Sequence, residues 1–322
     1  MTTIPIQRSR QMMVQPVRLD RAFEDPVIIS KLIEKGAPYK TITAVQKNPA
    51  NNDTPGWFRN FWALGSKVIF DGAEAVFHNP FFIEAAKQSF QAEIIQPLAM
   101  MTNLNVPAPE APMHLDLPFF RGAHQREVPN WILAPMGYSG LFQPWAIPVA
   151  SAISWFYPGT GGDFEYWPEG LDSPRQTFSS PCVNRAVIAD NEYMYHRVGQ
   201  MGDGGDYLAE GLSSDCLLHL EGGSLKTGRW AIRQGDQLIR DYAAGQIRIS
   251  VLWKAYCFRN QFEADAFADP AHNLTPTMIV DIFCRDLQQR GVHVTAPSDL
   301  ETDKAWMSII ERHYNAPEGS AC

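Results

Sequence analysis

The chain has 322 residues, 45% of them hydrophobic, and a formal charge of −8 from 27 Lys and Arg against 35 Asp and Glu. That is enough apolar material for a large core in one big domain or two modest ones, and with no basic cluster there is no electrostatic footprint for nucleic acid or an anionic membrane. No window approaches a membrane-spanning run, "MTTIPIQRSRQMMVQ" lacks the apolar core of a signal peptide, and Cys182, Cys216, Cys257, Cys284 and Cys322 form no C-x-x-C pair, so a reduced, soluble, cytoplasmic protein with a small-molecule partner is expected.

In chain order, "EDPVIISKLIEKG" predicts a short helix, with Asp25 as N-cap, Pro26 at the first helical position and Gly36 as the stop. "PFFIEAAKQSFQAEIIQPLAMM" places Phe82, Ala85, Ala86, Phe90, Ile94 and Ile95 on roughly one face and predicts a second, longer helix. From residue 111 the rhythm changes. "APMHLDLPFF", "ASAISWFYPG", "DFEYWP", "RAVIADN", "EYMYHRV" and "QIRISVLWKAYCF" are short, rich in aromatic or β-branched residues and bounded by Gly, Pro or Asn, which reads as strands. "SAISWFYPGTGGDFEYWPEG" reads as a hairpin turning through Gly161 and Gly162. Helices return in "LTPTMIVDIFCRDLQQRG", capped by Thr275, and "SDLETDKAWMSIIERHY", capped by Ser298. The expectation is a single, mainly β domain with flanking helices: residues 1–110 as N-terminal elements, 111–258 as a sandwich or barrel core, and 259–322 as C-terminal helices.

Within "APMHLDLPFF", His114 and Asp116 stand two apart, so on a strand both face one side. With 8 histidines and 35 acidic residues in the chain, about one H-x-[DE] arises by chance, and a second does occur at His219 and Glu221. The pair alone is therefore no signal. One imidazole and one carboxylate are two-thirds of a facial metal triad, which needs a second histidine. His196, closing the strand in "EYMYHRVG", is the best candidate; the rival set of His219, Glu221 and His272 or His293 falls on a glycine turn and a loop. "RISVLW" then puts Arg248 and Ser250 on one strand face, a guanidinium fork beside a hydroxyl suited to hold a carboxylate. Trp57, Phe58, Phe61, Trp62, Trp131, Phe142 and Trp145 are read mainly as packing residues.

The ordered set "MHLD", "ISWFYPGTGGDFEYWP", "AVIADN", "MYHRVG" and "RISVLW" resembles the Fe(II)- and 2-oxoglutarate-dependent oxygenases, of the phytanoyl-CoA-dioxygenase-like or prolyl-hydroxylase-like kind, over about residues 111 to 258. The resemblance implies a double-stranded β-helix, a cupin-like jelly roll. It implies Fe(II) bound by His114, Asp116 and His196, and 2-oxoglutarate held by Arg248 and Ser250. It further implies O2 as co-substrate, ascorbate as an optional reductant, and hydroxylation or desaturation of a small, largely apolar metabolite with release of succinate. The presence of Asp116 speaks against the halogenating members, which replace that carboxylate. Two alternatives remain at this stage: a cupin-type metal dioxygenase that uses no 2-oxo acid, and a jelly-roll binding protein without turnover. Oligomeric state stays open, a homodimer included.

In one respect the chain departs from the family pattern. Arg248 follows His196 by 52 residues instead of ten or so, leaving Arg197, Arg229, Arg233 and Arg240 as rival clamps. The intervening segment is dense in glycine and too long for a hairpin, which predicts a lid over the metal site, beginning near Met201.

Overall fold

The computed structural model describes residues 14–45, 53–124 and 127–314. Residues 1–13 of the stretch searched for a signal peptide, and Cys322, lie outside the described residues. The N-terminal part runs β1 (Val17–Leu19), α1 (Pro26–Lys35), β2 (Tyr39–Thr41), α2 (Ile42–Val45), β3 (Trp57–Leu64), β4 (Lys67–Val68), α3 (Glu74–Phe77), α4 (Pro80–Phe90) and β5 (Ile94–Asn105). α1 starts where the sequence places it, with the Asp25 carboxylate accepting the Val27 amide at 2.9 Å and Pro26 at the first turn, where no donor is needed. α4 opens on Asn79 in the same way.

α4 does not run on to residue 101. Gln91 turns left-handed at φ 50°, and the chain enters β5. Pro97 is excluded from a helix interior, and Ile94 and Ile95 suit a strand, so the apolar spacing across the junction belongs to two elements.

The remainder runs α5 (Asn130–Ser139), β6 (Val149–Tyr157), β7 (Phe164–Trp167), β8 (Gln176–Phe178), β9 (Cys182–Ala189), β10 (Tyr195–Val198), β11 (Leu217–Glu221), β12 (Arg229–Gln234), β13 (Gln237–Ala243), β14 (Arg248–Phe258), α6 (Gln261–Ala268), α7 (Pro276–Gln289) and α8 (Lys304–Tyr314). Thr275 caps α7 by accepting the Met278 amide. α8 begins later than Ser298. Asp299 first gathers the amides of Glu301 and Thr302 into a turn, and Asp303 takes the Trp306 amide as the cap.

Two antiparallel sheets result. The large one has the order β1-β9-β6-β14-β5-β3-β2-β11-β12-β13, with β4 on β3, and the small one is β10-β7-β8. β6 and β7 are not a hairpin, because they lie in different sheets; Gly161 and Gly162, at φ 75° and 65°, carry the chain across. β9 and β10 also lie in different sheets, joined through Asp190 and Asn191. These crossings make the mainly β, jelly-roll arrangement expected from the sequence. β3 and β5, which precede residue 111, stand in the middle of the large sheet.

Between the sheets, Trp155, Val187 and Ala189 of the large sheet pack on Phe164, Tyr166 and Phe178 of the small one, with Trp155 stacked on Phe178 at 4.8 Å. The other face of the large sheet is covered by α1 and α4: Ile33 and Phe82 share a core with Ile249, Val251 and Trp253 of β14. β14 is thus buried on both faces, which is why "RISVLWKAYCF" shows no clean alternation. α5, α7 and α8 form a separate helical cluster around Ile132, Phe283 and Trp306.

From Leu217 on, the segment between His196 and Arg248 is sheet and not the lid expected from its glycines. β11, β12 and β13 extend the large sheet beyond β2, and Leu218, Trp230, Ile232 and Tyr242 enter its helix-side core. Upstream, Met201 bridges to Ala108 and Gly161, and Leu212 to Thr54. Gly222, Gly223, Gly228 and Gly235 are punctuation between the strands of this meander. Trp230 is fully buried, so Trp230→Ala should lower stability by about 3–5 kcal/mol in urea unfolding; a loss below about 1 kcal/mol, within the range of surface substitutions, would return the segment to a peripheral role.

Candidate metal centre

His114 and His196 meet through their backbones. Each amide donates to the other residue's carbonyl at 3.0 Å, the hydrogen-bonded pair of an antiparallel ladder, although residues 111–120 form no regular strand. Directly opposed residues project to the same face, and the two imidazole centroids stand 4.4 Å apart. Two residues on, the Asp116 amide donates to the Asn191 carbonyl at 2.8 Å, which fixes the third side chain beside them.

The tautomers follow from the neighbours. His114 Nδ1 lies 3.0 Å from the Pro112 carbonyl, and His196 Nδ1 lies 3.0 Å from the Met194 carbonyl. A carbonyl oxygen only accepts, so each Nδ1 must carry the proton and each Nε2 presents a lone pair. The ligand atoms of His114, Asp116 and His196 lie within 4.8 Å of one another, the one such group found among the described residues.

Charge is arranged to suit. Burial pushes His196 down to about 4, with the neighbouring His114 adding to the effect, so it is neutral at pH 7. Burial would raise the Asp116 carboxyl, but Lys254 and His196 outweigh it and hold it well below the ordinary carboxylate range. Lys254 Nζ donates to Asp116 Oδ2 at 2.8 Å, while Oδ1 faces His196 Nε2 at 3.8 Å. One oxygen is therefore tied to the protein and the other points at the histidines. Two neutral imidazoles and one carboxylate, converging from one side, are a donor set that fits a divalent transition metal with open positions.

Lys254 comes from the opposite sheet. On β14 the residues Arg248, Ser250, Leu252 and Lys254 share one face, and the contact with Asp116 identifies it as the face turned to the triad. Buried Lys254 also lies 3.9 Å from Glu192, whose carboxyl is raised well above its usual range by burial. Burial would lower the Lys254 ammonium, but Asp116 and Glu192 together raise it.

Arg248 is 4% exposed, with Nε donating to the Gly162 carbonyl at 2.7 Å and the guanidinium 5.7 Å from the Trp155 ring. Burial lowers it to about 10, so it stays charged at neutral pH. Among the described residues no carboxylate lies within ion-pair distance of it, Asp163 acting on it only from further away, and neither Nη has a hydrogen-bond partner. The rivals are all engaged: Arg197 with Glu165 at 2.6 Å, Arg229 with Asp241 at 2.8 Å, Arg233 with Glu221 at 2.7 Å, and Arg240 with the carbonyls of Tyr207 and Gly205. Ser250 is buried one step along the same face. His219 and Glu221 sit on β11, where Glu221 serves Arg233 and Arg229, away from any metal-ligating cluster among the described residues.

Sequence reasoning misses Lys254, and it also passes over Arg59 on β3, whose Nε donates to Asn103 Oδ1 at 2.7 Å. A lysine inside a strand buried on both faces was the available signal for Lys254, and it shares the parity of Arg248 and Ser250. Arg59 alternates with Trp57 and Phe61 in "WFRNFW", the same signal in weaker form.

The sequence matches no family model and no curated protein. Similar solved structures include a 2OG-Fe(II) oxygenase family oxidoreductase from Burkholderia pseudomallei, 12% identical over 75% of this chain and 85% of that one, TM-score 0.41. A prolyl-4-hydroxylase from Pseudomonas putida is 13% identical over 77% of this chain and 94% of its own, TM-score 0.38. HygX from Streptomyces hygroscopicus, with nickel and 2-oxoglutarate bound, is 8% identical over 77% and 87%, TM-score 0.40. Such low identities and TM-scores carry no functional argument, so the chain's own residues must.

Removing the charge that ties one oxygen of Asp116 frees that carboxylate to rotate. Lys254→Met should weaken Fe(II) binding about 10–100-fold in an anaerobic titration, with the fold retained; unchanged affinity would make Lys254 a purely structural ion.

Proposed function

We propose that the chain is a non-haem Fe(II) oxygenase that consumes O2 and 2-oxoglutarate and hydroxylates or desaturates a small, largely apolar molecule. The observation that carries this reading is the convergence of the two Nε2 lone pairs with one oxygen of Asp116, between β10 of the small sheet and Lys254 of the large one. The buried guanidinium of Arg248, charged and without a carboxylate partner among the described residues, supports it further. An unpaired buried charge is costly unless a ligand completes it, and a 2-oxo acid brings the carboxylate that would do so.

In this reading His114 and His196 supply the nitrogen ligands and Asp116 the oxygen. Bound iron would supply the activation of O2, with two electrons coming from decarboxylation of the 2-oxo acid to succinate. The protein's own residues do the positioning. Arg248 offers two parallel N–H groups to the far carboxylate of 2-oxoglutarate, and Ser250 adds a hydroxyl from the same strand face. The Gly162 carbonyl fixes the guanidinium through Nε, leaving Nη1 and Nη2 for the ligand. Phe164 packs beside the site, its ring 5.5 Å from that of His196 and 5.7 Å from that of Trp155. No described helix is long and apolar enough to cross a membrane.

Incubation with Fe(II), 2-oxoglutarate and ascorbate in air should release succinate, which separates this reading from a cupin dioxygenase without a 2-oxo acid and from a binding protein. His114→Ala and Asp116→Ala should lose iron and succinate release while keeping their circular dichroism; full iron occupancy in either, by atomic absorption, contradicts the assignment. Arg248→Gln should keep iron and raise the KM for 2-oxoglutarate roughly ten- to hundredfold, the value of charge-assisted hydrogen bonds lost to a bound anion. An unchanged KM would assign the clamp to another residue.

A further inference from the structure

A second guanidinium lies on the sheet face that carries Arg248 and Ser250. Arg59 lies on β3 with its Nε donating to Asn103 Oδ1 at 2.7 Å, and the Trp57 indole N–H donates to the same oxygen at 3.1 Å. The guanidinium carbon is 4.9 Å from the Trp57 ring and 5.8 Å from the Phe61 ring, so it is held beside two aromatic side chains of its own strand. Arg59 is half-buried, forms no ion pair within the described residues, and has no partner for Nη1 or Nη2 among them.

Strand register places it relative to the site. Arg59, Asn103, Ser250 and Trp155 are successive partners across four adjacent strands, so Arg59 shares the face that carries Arg248, Ser250 and Lys254. Trp57, Asn105 and Arg248 form the neighbouring row. Two strands and two residues separate Arg59 from Arg248, about 12 Å between Cα atoms from sheet spacing and rise. Burial pushes the Arg59 guanidinium down to about 10, and the Asp116 carboxylate opposes that shift. Between the arginines and the metal ligands, Phe61, Met101 and Leu252 give the floor an apolar surface.

We propose that Arg59 is the recognition site for a carboxylate on the molecule to be oxidised, so that the substrate is a small acid with an apolar or aromatic body. The inference rests on the oxygenase reading for the identity of the second ligand. In that reading the 2-oxo acid, anchored at the metal, gives its one far carboxylate to Arg248, whose Nε is held on Gly162, while the Arg59 guanidinium is held on Asn103 beside Trp57 and Phe61. Arg59 then presents an end-on fork to a different anion, with Trp57 and Phe61 covering the adjoining carbon skeleton and Asn103 locking the guanidinium plane. Anchoring the acid here would leave its apolar body lying across Met101 and Leu252 toward the triad.

The test uses the Ni(II)-loaded protein saturated with 2-oxoglutarate, which cannot turn over, and calorimetric titration with benzoate, phenylacetate and 3-phenylpropionate, each against its amide. At least one acid should bind the wild type about ten- to hundredfold more tightly than its amide. Arg59→Gln should erase that preference and leave 2-oxoglutarate affinity unchanged, and Arg59→Lys should restore part of it. The inference is overturned if no acid of the series binds the wild type, if acid and amide bind alike, or if Arg59→Gln weakens 2-oxoglutarate in place of the acid. If the wild type fails to bind 2-oxoglutarate, the oxygenase reading fails, and the acid-to-amide ratio in its absence still judges Arg59.

Discussion

The reciprocal pair of backbone hydrogen bonds between His114 and His196 is the constraint on which the site depends. It joins a segment with almost no regular structure of its own to the short strand β10, and it brings two imidazoles 82 positions apart in sequence to ring contact. The carbonyls of Pro112 and Met194, each two residues before its histidine, then choose the tautomer. Orientation and protonation of the two imidazoles thus follow from backbone geometry. Side-chain chemistry enters only with Asp116, whose position the Asn191 carbonyl sets and whose second oxygen Lys254 ties down.

β14 performs the complementary task. Its odd-numbered residues from Ile249 to Ala255 build the helix-side core, and its even-numbered residues from Arg248 to Lys254 face the triad. The period of two lets one strand hold the fold and furnish the site, with no loop involved. The costs of burying Arg248 and Lys254 differ in kind. Lys254 is compensated by Asp116 and Glu192 within the protein, whereas Arg248 has a single carbonyl and no carboxylate within ion-pair distance among the described residues.

Much of this was legible in the sequence where local chemistry decides. The Asp25 and Thr275 caps, the strand character of "ISWFY", "AVIA" and "RISVLW", and the parity of Arg248 with Ser250 depend on neighbours within a few residues. What the sequence hid depends on long-range pairing. The apolar face counted across α4 and β5 ignored Pro97, and the Gly161–Gly162 turn joins two sheets because the partners of β6 and β7 lie elsewhere in the chain. Glycine density in the segment after residue 199 suggests mobility, but the apolar Leu218, Trp230 and Ile232, which enter a core, are the stronger signal. Lys254 went unnoticed because its partner Asp116 is 138 residues away.

The account stands or falls on where a metal and a 2-oxo acid sit together. A crystal structure of the protein grown anaerobically with Fe(II) and 2-oxoglutarate measures this directly. The account predicts iron bound by Nε2 of His114, Nε2 of His196 and Oδ1 of Asp116, with the far carboxylate of 2-oxoglutarate on Arg248 and Ser250. Iron bound elsewhere, or the triad filled while the 2-oxo acid rests on Arg59 and leaves Arg248 bare, would contradict it.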